Sequence, residues 1–240
     1  MCSYKKIHYI WLGGGEKKDV FYTCYYSWKR FLPDWKIIEW NECNLNLSKY
    51  KYAQQAYNMK KYAFASDVFR FDIINNYHGV YFDTDVEIIS PIETFLETYD
   101  SVTAFENKYY VNPGLILFSK NKNKFCNDML TKYKSMYFYE NENLKTICEY
   151  STEYLLQHGL KQNSTIETIN GITIFPKEYF CPFDYLKRGE IIPEQTKTIH
   201  HYAGSWLSKR VRVRIIIKKI IISLFGERII NFLINLKKGN

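Results

Sequence analysis

The stretch Lys61-Tyr-Ala-Phe-Ala-Ser-Asp67-Val-Phe-Arg70-Phe-Asp-Ile-Ile-Asn-Asn-Tyr77-His-Gly79-Val-Tyr81-Phe-Asp83-Thr-Asp85 decides the fold. Phe64, Val68, Phe71 and Ile74 recur at helical spacing, which predicts a helix from Lys61 to Tyr77 with Gly79 as its C-terminal cap. Val80-Tyr81-Phe82 then reads as a short buried strand, interrupted by Asp83-Thr84-Asp85, with Val86 to Ile89 extended as far as Pro91. A helix that runs straight into a buried strand is half of an α/β unit. Ser66, Asp67 and Arg70 share one helix face, since positions three and four apart are neighbours.

Outward from this stretch the same pattern repeats. Lys6 to Trp11 alternates and meets Gly13-Gly14-Gly15, a strand ending in a turn. Asp19 is placed to cap a helix to about Arg30, closed by Pro33, and Trp35 to Trp40 reads as a second strand. A β-α-β opening predicts parallel pairing with a right-handed crossover. Further strands are expected at Val102–Phe105, Leu115–Phe118, Ile172–Phe175 and Thr198–Tyr202, and helices at Asn123–Lys134 and Glu142–Gln157. The class is α/β with a mixed, mainly parallel central sheet.

Two hundred and forty residues, 46% hydrophobic and 24% charged, make one large α/β domain, or one domain with an appendage, and exclude disorder and collagen-like repeats. A chain this long buries roughly 70–75% of its unfolded surface and needs no staples. Six scattered cysteines without a C-x-x-C pair argue against a zinc site and a redox dithiol. The first residues lack a signal-peptide core, so the expected compartment is the reducing cytoplasm. The formal charge of +8 is unevenly placed. Residues 208–240 hold nine Lys and Arg against the single acid Glu227, and residues 1–207 are balanced at 24 and 24. Nucleic-acid binding therefore does not follow from the basic total. The division expected is 1–207 as a catalytic domain and 208–240 as a basic tail.

Asp83-x-Asp85 is the sharpest chemical signal. On extended backbone two such carboxylates point the same way, repel each other, and suit a divalent cation; a plain strand-end turn also uses Asp. Carboxylates at the carboxyl end of a strand stand where open α/β sheets bind ligands. Asp67 and Arg70 can form an i,i+3 pair worth only ~0.2–0.5 kcal/mol, or grip a phosphate and a sugar hydroxyl. Of His200 and His201, adjacent on a strand, only one can share a site with the aspartates. Trp11 is either core or a platform for a planar base. G-x-G-x-x-G, a P-loop and a G-x-S-x-G elbow are all missing.

Five segments taken in order carry a resemblance: Ile7-His-Tyr-Ile-Trp11-Leu-Gly-Gly, Ala65-Ser-Asp67-Val-Phe-Arg70, Gly79-Val-Tyr81-Phe-Asp83-Thr-Asp85-Val, Asn112-Pro-Gly114 and His201-Tyr-Ala-Gly-Ser205-Trp206. Together they resemble glycosyltransferase family 32, the sugar transferases with a DXD motif, with the glucosylating domains of large clostridial toxins as distant relatives. The resemblance implies a GT-A-type fold, a nucleotide-sugar donor, manganese (or magnesium) and retention of anomeric configuration. By the same resemblance Trp11 stacks on the nucleobase, and Asp67 and Arg70 hold sugar, ribose or phosphate groups. Tyr81 touches the diphosphate or ribose. Asp83 contacts the ribose and reaches the metal through water, and Asp85 ligates the metal directly. His201 is implied as the last protein ligand, Ser205 and Trp206 as closing over the β-phosphate, and Asn112 as reaching the donor sugar. Asp83, Asp85, Arg70 and Asn112 form the implied catalytic set, and the catalytic base is left open.

The implied reaction moves a hexose or N-acetylhexosamine, with UDP-sugars favoured over GDP-sugars, to a saccharide acceptor of the lipid-linked oligosaccharide or polysaccharide kind, as in capsule assembly. Rival readings are an inactive GT-A fold that binds carbohydrate or acts as a scaffold, and a phosphatase with an Asp-x-Asp nucleophile motif. Residues 211–236 hold no uncharged run long enough to span a bilayer. Wound as a helix, they are a basic amphipathic tail that either packs on the domain or lies on an anionic membrane surface, peripheral to the inner face of the membrane.

Overall fold

A computed structural model of the chain describes residues 4–138, 144–162, 165–182 and 192–203. In chain order the elements are β1 (Lys6–Ile10), α1 (Asp19–Phe31), β2 (Lys36–Trp40), α2 (Lys51–Asn58), α3 (Tyr62–Tyr77), β3 (Gly79–Tyr81), β4 (Val86–Ile88), α4 (Glu93–Thr98), β5 (Ser101–Ala104), β6 (Leu117–Ser119), α5 (Lys124–Lys134), α6 (Ile147–Gln157), β7 (Glu167–Ile169), β8 (Ile172–Phe175) and β9 (Thr198–His200).

Seven strands form one sheet in the order β2-β1-β3-β6-β5-β8-β7. β1 pairs in parallel with β2 and β3, and β5 with β8, while β6 and β7 run against the other five. β4 and β9 form a separate antiparallel pair, with Val86 opposite His200. The two faces of the sheet are sorted by strand alternation. Ile10, Tyr81, Leu117 and Ile174 join the core under α2, α3, α5 and α6, whereas Ile7, Tyr9, Val80 and Phe118 join a second core under α1 and α4. Each fully buried Phe, Ile or Leu contributes roughly 1.5–3 kcal/mol, so both layers are strongly held.

Helix α3 is the central pillar. Ten of its sixteen residues are buried, among them Asp67, Arg70, Asp72 and Asn75. It is packed on nearly all sides, so the apolar spacing that predicts it marks only part of its buried surface. Its C-cap is His78, at φ +57°, rather than Gly79. Gly79 instead opens β3 at φ +104°, where a Cβ would lie 2.5 Å from the Lys6 carbonyl oxygen. Only glycine lets β3 approach β1 there. Asp19 likewise sits in the first turn of α1, while the cap position belongs to Lys18 without a side-chain bond.

Asp83-Thr84-Asp85 is not extended. The Val86 amide donates to the Asp83 carbonyl at 3.1 Å, which closes a turn between β3 and β4. The strand after it leaves the main sheet. Trp28 Nε1 donates to the Val86 carbonyl at 2.8 Å, and the Ile88 amide donates to Ser27 Oγ at 2.9 Å, which fastens β4 onto α1. Sequence patterning also passes over α2, α4 and β7, and places the start of α6 five residues early. Ser205, Trp206 and the whole 208–240 tail lie outside the described residues.

Candidate active site

The site stands at the carboxyl ends of β1, β3 and β5, with α3 below it. Arg70, 3% exposed, is its only buried cation among the described lysines and arginines. Its Nη2 lies 2.9 Å from Asp67 Oδ1 and 3.2 Å from Asp83 Oδ1. The Tyr81 ring sits 5.1 Å from the guanidinium carbon, and the Tyr81 hydroxyl donates to Asp83 Oδ1 at 2.8 Å. Helix α3 thus presents Asp67 and Arg70 to the first DXD aspartate, as the i,i+3 spacing predicts. The Nε and Nη1 groups of Arg70 are buried with no protein acceptor. Buried donors left unpaired in this way cost free energy, which sets Arg70 apart from a plain structural ion pair.

Electrostatics sharpen the picture. Burial pushes the Asp67 carboxyl up to about 7; Arg70 pulls it back and Asp83 adds to the rise. Burial works against the Arg70 cation, but Asp83, Tyr81 and Asp67 outweigh it and raise its pKa.

Asp85 faces the other way. Its Oδ1 lies 3.0 Å from His200 Nε2, and its Oδ2 accepts from the Ala203 amide at 2.8 Å. Burial acts to raise its pKa, yet His200 and that amide prevail and hold it below the ordinary value. His200 is raised in turn, because the Asp85 carboxylate outweighs the burial that acts to lower it. His201, implied as the metal ligand, does not meet Asp85 with its ring. Its amide donates to the Asp85 carbonyl at 2.9 Å, while its Nε2 lies 2.7 Å from Glu87 Oε2. The β4–β9 register is the cause: Glu87 opposes Ile199, so residue 201 falls diagonally on the Glu87 face. The ring beside the DXD motif is therefore that of His200.

Asn112 is 6% exposed, and both ends of its amide are engaged. Its Oδ1 accepts from the Gly114 amide at 2.7 Å and its Nδ2 donates to Glu106 Oε2 at 2.9 Å. The Asp83 amide donates to the Gly114 carbonyl at 2.9 Å, so this loop fixes the DXD turn. A Cβ on Gly114 would lie 2.0 Å from Asp83 Oδ2 and 2.8 Å from Arg70 Nη1. Trp11 is half-buried at the end of β1, its ring centroid 5.8 Å from that of Phe21, with Nε1 donating to the Gly15 carbonyl at 2.8 Å. Glu106, just past β5, is not singled out by the sequence. Its signal is the one that marks Asp83, an acid at the carboxyl end of a buried strand.

Two DXD carboxylates and an imidazole are suitable donors for a hard divalent cation. Among the described residues no three His, Cys, Asp or Glu groups converge as a cage. Such a site fits a metal that takes few protein ligands and completes its shell with water and substrate phosphates, as magnesium does.

Residues 18–106 match the family described as "Glycosyltransferase sugar-binding region containing DXD motif". No curated protein sequence matches the chain. Among solved structures the fold is similar to the PaToxG glycosyltransferase, at 16% identity and a TM-score of 0.50, over 64% of this chain and 69% of that one. The α/β architecture with its mixed, mainly parallel sheet is thus shared with a glycosyltransferase, and the segment from α1 to Glu106 is a glycosyltransferase-like DXD region.

Proposed function

We propose that the chain is a metal-dependent retaining glycosyltransferase that moves a hexose or N-acetylhexosamine from a nucleotide-diphosphate sugar to a saccharide acceptor. The observation that carries this reading is Arg70. It is a buried cation braced by Asp67 and Asp83, with two N–H groups unpartnered beside the DXD turn. A salt bridge kept for stability alone gains nothing from leaving its donors unmet.

Arg70 binds and orients the diphosphate, and its charge stabilises the leaving group as negative charge grows there. Asp67 and Tyr81 hold the guanidinium in place, and Trp11 offers its ring to the base. Asp85 and His200, with Asp83 through water, would hold manganese or magnesium. When bound, the cation neutralises charge on the departing nucleoside diphosphate. No side chain is assigned as a nucleophile.

The excess of basic residues after position 207 supports a second element of the proposal, attachment of residues 208–240 to an anionic membrane surface on the cytoplasmic side, where a lipid-linked acceptor would be met.

Donor hydrolysis and transfer are tested with UDP- and GDP-sugars plus manganese. Turnover is expected to vanish in EDTA and to return with manganese. Asp85→Asn is expected to cost ~10²–10³-fold, the loss typical for a transition-state-stabilising group. Full turnover of Asp85→Asn in chelator, or none by the wild type with any donor, would overturn the reading.

A further inference from the structure

The chain after β5 folds tightly back on itself. The Asn112 amide donates to the Ala104 carbonyl, Phe105 bridges Val111, and the Glu106 amide donates to the Tyr110 carbonyl. With Glu106 opposite Tyr110, residue 112 is its diagonal neighbour on the same face, which brings the two side chains together. Asn112 Nδ2 then meets Glu106 Oε2 at 2.9 Å, and Asn107 Nδ2 is a longer 3.3 Å from Oε1.

This arrangement leaves Asn112 little to offer a sugar. Its carbonyl oxygen serves the Gly114 amide and one N–H serves Glu106. Glu106 is different. A carboxylate has about four acceptor sites, and the two amides and the Cys148 thiol that bond it leave at least one open. It is also an expensive choice for an anchor. A neutral acceptor would hold Asn112 as well, without adding a carboxylate to a site that already has Asp67, Asp83 and Asp85. Burial raises the Glu106 pKa, with Asn112 acting against that rise, and His200, Cys148 and Asp83 are all close enough to act on it. A costly ionisable group beside the DXD carboxylates marks function rather than packing.

We propose that Glu106 is the sugar-reading residue of the site, its carboxylate accepting a hydrogen bond from a ring hydroxyl of the donor sugar, with Asn112 positioning it. The assignment rests on the transferase reading above and names a specificity determinant within it.

The test compares Kd for UDP, UDP-glucose, UDP-N-acetylglucosamine, GDP and GDP-mannose by calorimetry with manganese, in the full-length wild type, Glu106→Gln and Glu106→Asp. For the nucleotide sugar that the wild type binds, the ratio of its Kd to that of the bare nucleotide is expected to rise at least about tenfold in Glu106→Gln, as for loss of a hydrogen bond to a charged group. Affinity for the bare nucleotide should stay within about twofold. Glu106→Asp, which keeps the charge but shortens its reach, should show the same pattern and serves where the glutamine variant does not fold. Equal weakening of nucleotide and nucleotide sugar would make Glu106 a mere anchor for the loop, and no change in either would exclude contact. Both results overturn the proposal while the transferase reading survives. A wild type that binds none of the five overturns that reading and this assignment with it.

Discussion

Trp40 Nε1 donates to Nδ1 of His8 at 3.0 Å inside the sheet, where His8 is fully buried. With Nδ1 accepting, the ring proton is on Nε2, which donates to the His78 carbonyl at 2.7 Å. The imidazole is thus fixed as one neutral tautomer that bridges β2 to the end of α3. Burial lowers its pKa from 6.5 to about 4, only partly offset by the His78 carbonyl. A depressed histidine stabilises the fold above its unfolded pKa, and that stability is lost as the pH falls from about 6.5 toward about 4. By pH 5 the loss should reach about 2 kcal/mol. Urea midpoints at pH 7.5 and pH 5 check this, with His8→Gln as the control that lacks the titration. Equal acid sensitivity in both proteins would count against it.

Gly114 leaves no room for a methyl group beside Asp83 and Arg70. Gly114→Ala should therefore push the Asp83 carboxylate aside. Displacement by about 1 Å can cost on the order of 10²-fold in rate. The stability loss should stay within the ~1–3 kcal/mol of an overpacked site. Donor turnover and thermal melts together separate the two effects, and a variant that retains wild-type turnover would contradict the crowding.

Trp11 is half-buried, with its ring against Phe21 and Lys17 Nζ 5.8 Å from its centroid. Trp11→Ala should weaken nucleotide binding by ~1–3 kcal/mol if a base stacks on its ring. It should also lower the melting temperature by a few degrees through the lost contact with Phe21, in contrast to a ring held wholly by ligand. Calorimetry with UDP and GDP reads the first effect. Unaltered affinity beside a lowered melting temperature would make Trp11 a core residue alone.

Truncation after Ser208 should abolish co-sedimentation with anionic liposomes while donor hydrolysis persists. Each Lys or Arg near an anionic surface contributes about 1 kcal/mol, so binding should also fall steeply with salt. Equal binding to neutral and anionic vesicles, or to neither, would rule out the surface attachment.

The helix-to-strand passage from α3 into β3 was plain in the sequence because both buried faces are written in contiguous apolar residues. The parallel β1–β2 pair was equally plain from the β-α-β order. The placement of β6 and β5 between β3 and β8 was not, because strand order depends on contacts far apart in sequence. On extended backbone the DXD carboxylates would share a side, but the turn at Thr84 sends them to opposite partners. That only one of two adjacent histidines reaches the aspartates followed from strand alternation. Which one was set by the register of β9 on β4, which no local pattern encodes. Glu106 was legible in principle, by the rule that drew attention to Asp83, but it lacks a second acid two residues away.

The clasp of β9 on β4 has a consequence for how the protein is made. Asp85 finds His200 115 residues later in the chain, and the Ala203 amide 118 residues later. At ~5–20 residues per second a ribosome takes roughly 6–24 s to cover that gap. For that interval the nascent chain displays α3, Arg70 and the DXD turn while Asp85 has no partner. A product released before residue 198 would hold every strand of the seven-stranded sheet and still lack the strand that secures its second aspartate. Completion of the site thus waits on a strand that lies outside the main sheet.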